Sequence, residues 1–268
     1  MRNYLIVLLS GLFISGSAIA SGKVHLESAQ IDITDQESLQ RGTRNFMNYC
    51  HGCHSLSASR YNRLAKDIGL PVVPEATTGA TKEEADTIAA TNAKLITENI
   101  IFTRGEDGKP SGLGSLMHTA MAGDDAKKWF GGPVPDLSLV ARSRGADWIY
   151  TYLKSFYLEE GRPTGMNNTI LDGASMPHVL WELQGFQSLE KYTDEQGVEH
   201  SELILTQPGT LSVAEYDEFV NDITNFLVYV GEPAQLTRKK YGFFVMLLIL
   251  VFIGVAYALK KEYWKDVH

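Results

Sequence analysis

Hydrophobic residues recur at three- and four-residue intervals in two stretches of the chain, and each stretch predicts an amphipathic helix. In the first stretch, Thr34 and Glu37 have the spacing of a capping box, which predicts that the helix begins at Thr34. Its apolar face is formed by Leu39, Thr43, Phe46 and Cys50. This face leads directly into a run that contains both cysteines of the chain.

The second stretch follows another capping box, formed by Ser212 and Glu215. Gly231 predicts the end of this helix, because glycine is common just beyond a helix C-terminus. We expect the long apolar face to pack against the first helix, since such a face needs a buried partner. It consists of Val213, Tyr216, Phe219, Val220, Ile223, Phe226, Leu227 and Val230.

Shorter helices are predicted between these two. One covers Ser59 to Leu64 and is ended by the break at Gly69-Leu70-Pro71. Asp136 or Ser138 is expected to cap a second helix, and Asp147 a third. The third helix carries large apolar residues on neighbouring turns, a spacing typical of a packed core. They are Trp148, Tyr152, Leu153 and Phe156.

The segment from Val72 to Lys128 gives a weaker signal. Ala76 to Ala90 is rich in small and polar residues and only weakly helical. Turn-forming residues from Arg104 to Pro110 predict a surface loop. No internal repeat and no site chemistry is predicted in this segment.

Two longer apolar runs predict how the chain is targeted. The run from Tyr4 to Ile14 follows Arg2 and precedes Ala18-Ile19-Ala20, as in a secretory signal peptide. The run from Tyr241 to Leu259 has 19 residues without a charge, enough to span an apolar layer of about 30 Å. We therefore expect a signal peptide (1–20), an exported domain (21–237), and a membrane anchor with a short tail (238–268).

The orientation of the anchor follows from the signal peptide. Three basic residues flank the span on each side, so the distribution of positive charge gives no direction. An exported amino-terminal domain followed by a single stop-transfer span places the domain in the periplasm of a bacterium and the tail in the cytoplasm. The expected location is the inner membrane.

The exported domain is acidic. Of the 24 basic and 32 acidic residues, seven basic and two acidic residues lie in the signal peptide or beyond Thr237, which leaves 17 and 30. The formal charge of the domain is therefore near −13. Two interpretations are open: the charge keeps the domain soluble, or it steers a basic protein partner. It does not favour nucleic acid, whose backbone is also negative.

Both cysteines lie in the run Tyr49-Cys50-His51-Gly52-Cys53-His54. Two thiols at this spacing can add to the two vinyl groups of a haem, and the histidine that follows then ligates the iron. A zinc site would need further soft ligands, and the chain has no third cysteine. A redox pair would lie in a β-α-β pattern, which is missing here. The sequence predicts one covalent haem c on Cys50 and Cys53, with His54 as an axial ligand.

The second axial ligand distinguishes an electron carrier from a haem with an open site. Met176 is favoured, because Pro177 would hold a loop methionine in place, whereas Met166 and His178 remain alternatives. A His/Met pair leaves no vacant position and raises the reduction potential relative to two histidines. The less favoured candidates are Met47, His51, Met117, His118 and Met121.

The order of these features resembles the cytochrome c1 family, the membrane-anchored c-type cytochromes of the cytochrome bc1 complex. The likeness covers nearly the whole chain after the signal peptide and is to the bacterial type of the family. Its most specific elements are the P-D-L-S sequence and the late anchor, since many unrelated cytochromes share C-x-x-C-H. The motifs are C-H-G-C-H-S, Arg60-Tyr61, Pro135-Asp136-Leu137-Ser138, Arg142-x-Arg144-Gly145, Arg162-Pro163-Thr164-Gly165, Met176-Pro177 and Glu232-Pro233.

The resemblance implies a fold and a set of haem contacts. The expected fold is mostly α: a class I cytochrome c-like haem domain with loop insertions, plus one C-terminal transmembrane helix. Met176 would be the axial methionine and Arg144 would reach a haem propionate. Trp148 and Leu153 would line the haem, and Pro135 is expected beside it. The chain departs from the family at Trp129-Phe130, where many relatives have an asparagine, and across residues 72–128.

The resemblance also implies a function. The complex oxidises a quinol and reduces a cytochrome c, and this subunit would receive electrons from the Rieske iron–sulfur protein. Cytochrome b would be its other core partner, in a dimeric complex. The chain would have no independent catalytic site beyond haem electron transfer. Two alternatives remain: a free-standing membrane-anchored cytochrome c that feeds a terminal oxidase, and a ligand sensor or peroxidase with an open iron.

Overall fold

The computed structural model of the protein describes residues 25–70, 81–101, 103, 109–195 and 197–266. Helices dominate this part of the chain, as predicted, and three antiparallel pairs of strands accompany them. The predicted signal peptide, residues 1–20, lies outside the described residues. In chain order the elements are α1 (Gln36–Tyr49), β1 (Leu56–Arg60), α2 (Tyr61–Asp67), α3 (Lys82–Asn99), β2 (Leu116–Met117), α4 (Gly123–Phe130), α5 (Val140–Ser143), α6 (Ala146–Lys154), β3 (Phe156–Leu158), β4 (Met166–Asn168), α7 (Trp181–Gln184), β5 (Gly185–Thr193), β6 (Glu199–Pro208), α8 (Val213–Gly231) and α9 (Gln235–Tyr263).

The core forms where α1 packs against α8, as their two apolar faces predict. The rings of Phe46 and Phe226 are both fully buried, with centroids 5.3 Å apart. Gly42 permits this close packing, because a Cβ there would lie 2.1 Å from the carbonyl oxygen of Asp222. Arg41 also joins the helices by donating from Nε to the buried Asp222 carboxylate at 2.6 Å. The helix that precedes the cysteines is therefore firmly held.

The predicted N-cap of α1 is wrong by one residue. Asp35 is the cap, since its carboxylate accepts hydrogen bonds from the amides of Glu37 and Ser38 at 3.0 and 3.1 Å. The Thr34 hydroxyl instead donates to Asp32. Asp35 suits the position because a carboxylate also interacts favourably with the positive end of the helix dipole.

The capping box of α8 is confirmed. The Ser212 hydroxyl accepts from the Glu215 amide at 3.4 Å, and the Ser212 amide donates to the Glu215 carboxylate at 2.9 Å. The helix ends at Gly231, as predicted. This element was readable because its cap and its apolar face are both local in sequence.

The caps predicted for α5 and α6 are wrong. Leu139 and Gly145 occupy the N-cap positions, and neither provides a side-chain hydrogen bond. Gly145 has a φ of 91°, which lets the chain turn sharply between the two helices. Asp147 lies in the first turn of α6 and accepts from the amide of Ala29 at 2.9 Å. Its carboxylate thus holds the amino-terminal segment and does not cap the helix.

The helix predicted from Ser59 begins two residues later. Ser59 and Arg60 complete β1, which pairs with β2 through Leu56 and Met117, and α2 then starts at Tyr61. The expected break after it is present, since Gly69 has a φ of 74°. The strand pair could not be read locally, because β2 lies more than fifty residues further along the chain.

Two segments are more regular than the sequence indicated. Residues 82–99 form α3, which is longer and later than the weakly helical Ala76–Ala90. The predicted irregular stretch after His178 contains a long hairpin, in which β5 pairs with β6 from Gly185–Pro208 to Thr193–Glu199. The hairpin base is attached to the core by Gln187, whose amide donates to the carbonyl of Phe156 at 3.0 Å.

Helix α9 is long and apolar enough to cross a membrane. Its most apolar 18-residue window has a mean hydropathy of 2.7, and no residue in that window is buried within the chain. The predicted span, Tyr241 to Leu259, lies inside this helix. The predicted C-terminal transmembrane helix therefore agrees with the structure in length, position and exposure.

Candidate functional site

The C-x-x-C-H run forms an additional turn at the end of α1. The amides of Cys50 and His51 donate to the carbonyl of Phe46 at 2.8 and 2.9 Å, and the amide of His54 donates to the carbonyl of Cys50 at 2.8 Å. This turn places two free thiols and one imidazole within a single loop. Burial raises the pKa of the Cys50 thiol to about 12, with a smaller contribution from Cys53.

His54 is held in the form that a metal ligand requires. Its Nδ1–H donates to the carbonyl of Pro135 at 2.8 Å, which leaves Nε2 with its lone pair available. Burial lowers the pKa of His54, although Pro135 and Asp136 oppose the shift. The ring is therefore neutral at physiological pH, as iron ligation needs. Pro135 thus acts on His54 through its backbone carbonyl.

The P-D-L-S segment is fastened to the strand that follows the cysteines. The Leu137 amide donates to the Ser55 carbonyl at 2.9 Å, and the Ser57 amide donates to the Asp136 carboxylate at 2.8 Å. Although partial burial opposes it, hydrogen bonds from Ser138 and Ser57 lower the pKa of Asp136. The Ser138 hydroxyl accepts from the amide of residue 58 at 3.1 Å.

These contacts correct the predicted role of Asp136 and Ser138. Neither residue caps a helix, and both hold Pro135 at the distance at which its carbonyl accepts from His54. The resemblance singled out this element but gave no role to its polar side chains. The role of Asp136 and Ser138 is indicated only by their hydrogen bonds to the amides of residues 57 and 58, which the fold brings close.

Both ring nitrogens of His51 form hydrogen bonds within the protein. Its Nε2 accepts from the Tyr61 hydroxyl at 2.8 Å, and its Nδ1–H donates to the carbonyl of His54 at 3.1 Å. Burial lowers the pKa of His51, which keeps the ring neutral. Both nitrogens are used, so His51 is not available as an axial ligand.

A second group of predicted residues meets along α6. The Arg144 guanidinium lies 5.1 Å from the ring centroid of Trp148, and Trp148 stacks on Tyr152 with centroids 4.9 Å apart. The Tyr152 hydroxyl donates to the sulfur of Met176 at 3.5 Å. Burial raises the pKa of Tyr152 to about 12, so it remains a donor. Arg144, Trp148, Tyr152 and Met176 thus form one continuous series of contacts, in which Tyr152 is a link that the sequence did not predict.

Tyr216 of α8 contacts the helix that carries this group. Its hydroxyl donates to the carbonyl of Leu153 on α6 at 2.9 Å. Burial, with smaller effects from Asp217 and Cys50, raises the pKa of Tyr216. Leu153 itself is buried beside this contact.

The alternative ligands are placed less favourably. Met166 is buried in β4, where it pairs with Leu158. His178 stacks on Phe156 with centroids 5.1 Å apart, and burial lowers its pKa to about 4. Its Nε2 is buried without a hydrogen-bond partner among the described residues. Met176 differs from both because it is only partly buried and lies at the margin of the core.

The residues present fit a c-type haem. One turn supplies two free thiols and an imidazole whose coordinating nitrogen is unoccupied by any hydrogen bond among the described residues. A partly buried thioether lies beside aromatic side chains and the cation of Arg144. Soft thioether and imidazole donors of this kind suit haem iron.

The family model for the cytochrome C1 family matches residues 27–267. The chain belongs to the cytochrome c1 family. Members of this family carry a c-type haem. The family match and the apolar C-terminal helix confirm the predicted fold class, a mostly α, class I cytochrome c-like domain with one C-terminal transmembrane helix. The match also spans residues 72–128, in which no family motif was recognised from the sequence.

Three relatives are similar to this chain over most of its length, and two of them are named cytochrome c1. The chain is 47% identical to a cytochrome c1 of Allochromatium vinosum over an alignment of 268 residues. This alignment covers 98% of this chain and 99% of the relative. It is 41% identical over 269 residues to a Nitrosomonas europaea protein named ammonia monooxygenase gamma subunit, with 100% of both chains covered. It is 25% identical to the mitochondrial cytochrome c1 heme protein of Neurospora crassa, over 86% of this chain and 62% of the relative.

Proposed function

We propose that this chain is the haem subunit of a quinol–cytochrome c oxidoreductase, the cytochrome bc1 complex. It would receive electrons from the Rieske iron–sulfur protein and pass them through one covalent haem c to a cytochrome c. The observation that carries this proposal is the cysteine turn with His54 held by Pro135. The chain belongs to the cytochrome c1 family, and one helix among its described residues, α9, is long and apolar enough to cross a membrane.

The axial ligands in this proposal are His54 and Met176. When bound, a c-type haem supplies reversible one-electron transfer, and Cys50 and Cys53 would attach it. The Pro135 carbonyl orients the His54 ring, while the Tyr152 hydroxyl holds the Met176 sulfur in place. With His54 and Met176 both holding the metal, no position would be left open to a substrate. The chain would then have no catalytic site of its own.

The remaining residues would adjust the environment of the ligands. Arg144 carries a permanent positive charge suited to a haem propionate, and it is held over the face of Trp148. Trp148 stacks on the tyrosine that bonds Met176, so its apolar surface would help to exclude water from the thioether. Leu153 is buried on the same helix. Limited access of water strengthens each of these polar contacts.

The topology in this proposal has three parts. Residues 1–20 would be removed as a signal peptide, and residues 21–237 would form the haem domain in the periplasm. Residues 238–268 would anchor the domain in the inner membrane through the span at 241–259, with the tail in the cytoplasm. This arrangement rests on the export signal in the sequence and on the exposed apolar surface of α9.

Co-purification tests the assembly. In a detergent extract, the chain should migrate with b-type haem and an iron–sulfur signal, because cytochrome b and the Rieske protein are its expected partners, and the mass should correspond to a dimeric complex. The chain should be followed through native electrophoresis by its covalent haem. A haem-bearing chain that separates from both signals would instead support a free-standing cytochrome that feeds a terminal oxidase.

The acidic exterior predicts a salt-dependent reaction with a basic cytochrome c. Four exposed acids on α3, Glu83, Glu84, Asp86 and Glu98, are the first candidates for the docking surface. The bimolecular rate should fall steeply as ionic strength rises, because exposed charges are screened beyond about 8 Å at physiological salt. Stopped-flow reduction across a salt series measures this rate.

The matched variant is Glu83→Gln/Glu84→Gln/Asp86→Asn, which removes three charges from the first two turns of α3. It should slow association at low salt and flatten the salt dependence, while electron transfer from the iron–sulfur protein stays unchanged. A wild-type rate that is indifferent to salt would mean that the charge serves only solubility.

A further inference from the structure

The junction between the haem domain and the membrane helix contains a three-residue connection. Helix α8 ends at Gly231 and α9 begins at Gln235, so only Glu232, Pro233 and Ala234 separate them. The ring of Pro233 fixes one backbone dihedral, but the remaining dihedrals would still allow the two helices to change direction. The relative orientation of domain and anchor therefore needs further contacts.

The Glu232 side chain contacts both the haem domain, through Arg142, and the membrane helix, through Arg238. Its Oε2 accepts from Arg142 Nη1 of α5 at 2.5 Å and from Arg238 Nη2 of α9 at 3.0 Å. Its Oε1 accepts from Arg238 Nε, which makes the second pair bidentate. The hydrogen bond from Arg238, followed by its charge and that of Arg142, lowers the pKa of Glu232 despite some desolvation. The carboxylate is 18% exposed and remains ionised at physiological pH.

Arg142 reaches this carboxylate because the end of α8 has no side chain in its way. A Cβ at Gly231 would lie 3.2 Å from Cγ of Arg142, a distance that would force the arginine to move. Arg142 is also two residues from Arg144, which lies over Trp148 near the proposed haem. The two arginines of the R-x-R motif thus have different tasks: one faces the haem pocket and the other faces the anchor.

We propose that Glu232 is a positioning residue that sets the orientation of the haem domain relative to its membrane helix, by joining Arg142 to Arg238. The inference rests on the proposed function, in which α9 is the anchor. A single exposed ion pair would contribute little, but here one carboxylate joins two guanidinium groups, one of them in bidentate geometry. Orientation matters for the reaction because electrons leave the haem for partners that dock at a fixed place above the membrane.

Haem orientation in membranes tests this proposal. Native membranes that contain the intact complex are dried into oriented multilayers, and the angular dependence of the low-spin haem signal is recorded by electron paramagnetic resonance. Glu232→Gln and Arg142→Gln should each broaden the angular distribution and shift its mean. The near-infrared methionine band and the reduction potential should stay at wild-type values, which shows that the haem pocket is intact.

Lys239→Gln is the matched control. It removes one charge next to Arg238, from a lysine that has no ion pair in the described part of the chain, and should leave the distribution unchanged. A wild-type distribution in Glu232→Gln, or equal broadening in Lys239→Gln, would overturn the inference. A wild-type membrane without any oriented low-spin haem signal would overturn the proposed function itself, so the two failures are distinguishable.

Discussion

Replacement of Met176 with leucine is expected to leave the haem attached to the chain but to remove its low-spin His/Met spectrum and lower its reduction potential. The thioether stabilises reduced iron, and leucine has no atom that can ligate it. Axial ligands and their surroundings set haem potentials over about 0.8 V, so the loss should be on the order of 0.1 V or more. Leucine is similar to methionine in volume, so the fold should tolerate the change.

The measurement is the near-infrared sulfur-to-iron band together with a redox titration. Met166→Leu is the control, because this methionine was an alternative ligand and is buried in β4. The control should retain both the band and the potential. An unchanged band in Met176→Leu would assign the ligand elsewhere, and its loss in Met166→Leu would assign it to Met166. Carbon monoxide should bind to the Met176 variant and not to the wild type.

Removal of both thiols, by Cys50→Ala/Cys53→Ala, is expected to abolish covalent haem attachment. The two cysteines are the only ones in the chain, and both are free in the structure. No other side chain can form a thioether with a haem vinyl group. Any haem that still binds would be held only by His54, Met176 and apolar contacts, which are reversible.

Extraction with acidified organic solvent distinguishes covalently attached haem from reversibly bound haem. Haem should remain with the wild-type chain after denaturation and pass entirely into the solvent from the double variant. The single variants Cys50→Ala and Cys53→Ala serve as controls, since each retains one thiol and should keep part of the haem attached. Haem that extracts freely from the wild type would contradict covalent attachment.

Elements with local signals were predicted well from the sequence. The apolar face and the capping box of α8 lie within one continuous segment, and both are present in the structure. The predicted membrane span lies inside α9 for the same reason, because length and hydropathy suffice to identify such a helix. The C-x-x-C-H run is also local, so its predicted role in haem attachment rests on spacing alone and stays a prediction.

Helix starts in the middle of the chain were predicted less well. Asp136, Ser138 and Asp147 are good capping residues, yet each side chain bonds to a distant segment or to a neighbouring amide. The amides of residues 29, 57 and 58 compete for these acceptors, and they are brought close only by the fold. Capping preference is a modest term of about 1 kcal/mol, so such tertiary hydrogen bonds can override it.

The candidate site also contains residues that are neighbours in sequence and residues that only the fold brings together. Cys50, Cys53 and His54 are adjacent in sequence, and the turn that joins them needs only hydrogen bonds within residues 46–54. By contrast, Met176 was separable from Met166 only by the proline that follows it and by the resemblance. The structure adds the Tyr152 hydroxyl on the Met176 sulfur, a contact between residues 24 positions apart.

Sequence patterns therefore sufficed to predict a helix long and apolar enough to span a membrane, the two amphipathic helices that pack together, and a haem-binding role for the cysteine turn, because each prediction depends on neighbours within a few helical turns. Tertiary structure alone decided how His54 is oriented by Pro135, how Arg144, Trp148 and Met176 come together, and how Glu232 joins two arginines. The physical reason is that a hydrogen bond or ion pair between distant segments is formed only after the core has placed them within about 3 Å of each other. No periodicity in the sequence encodes such a distance.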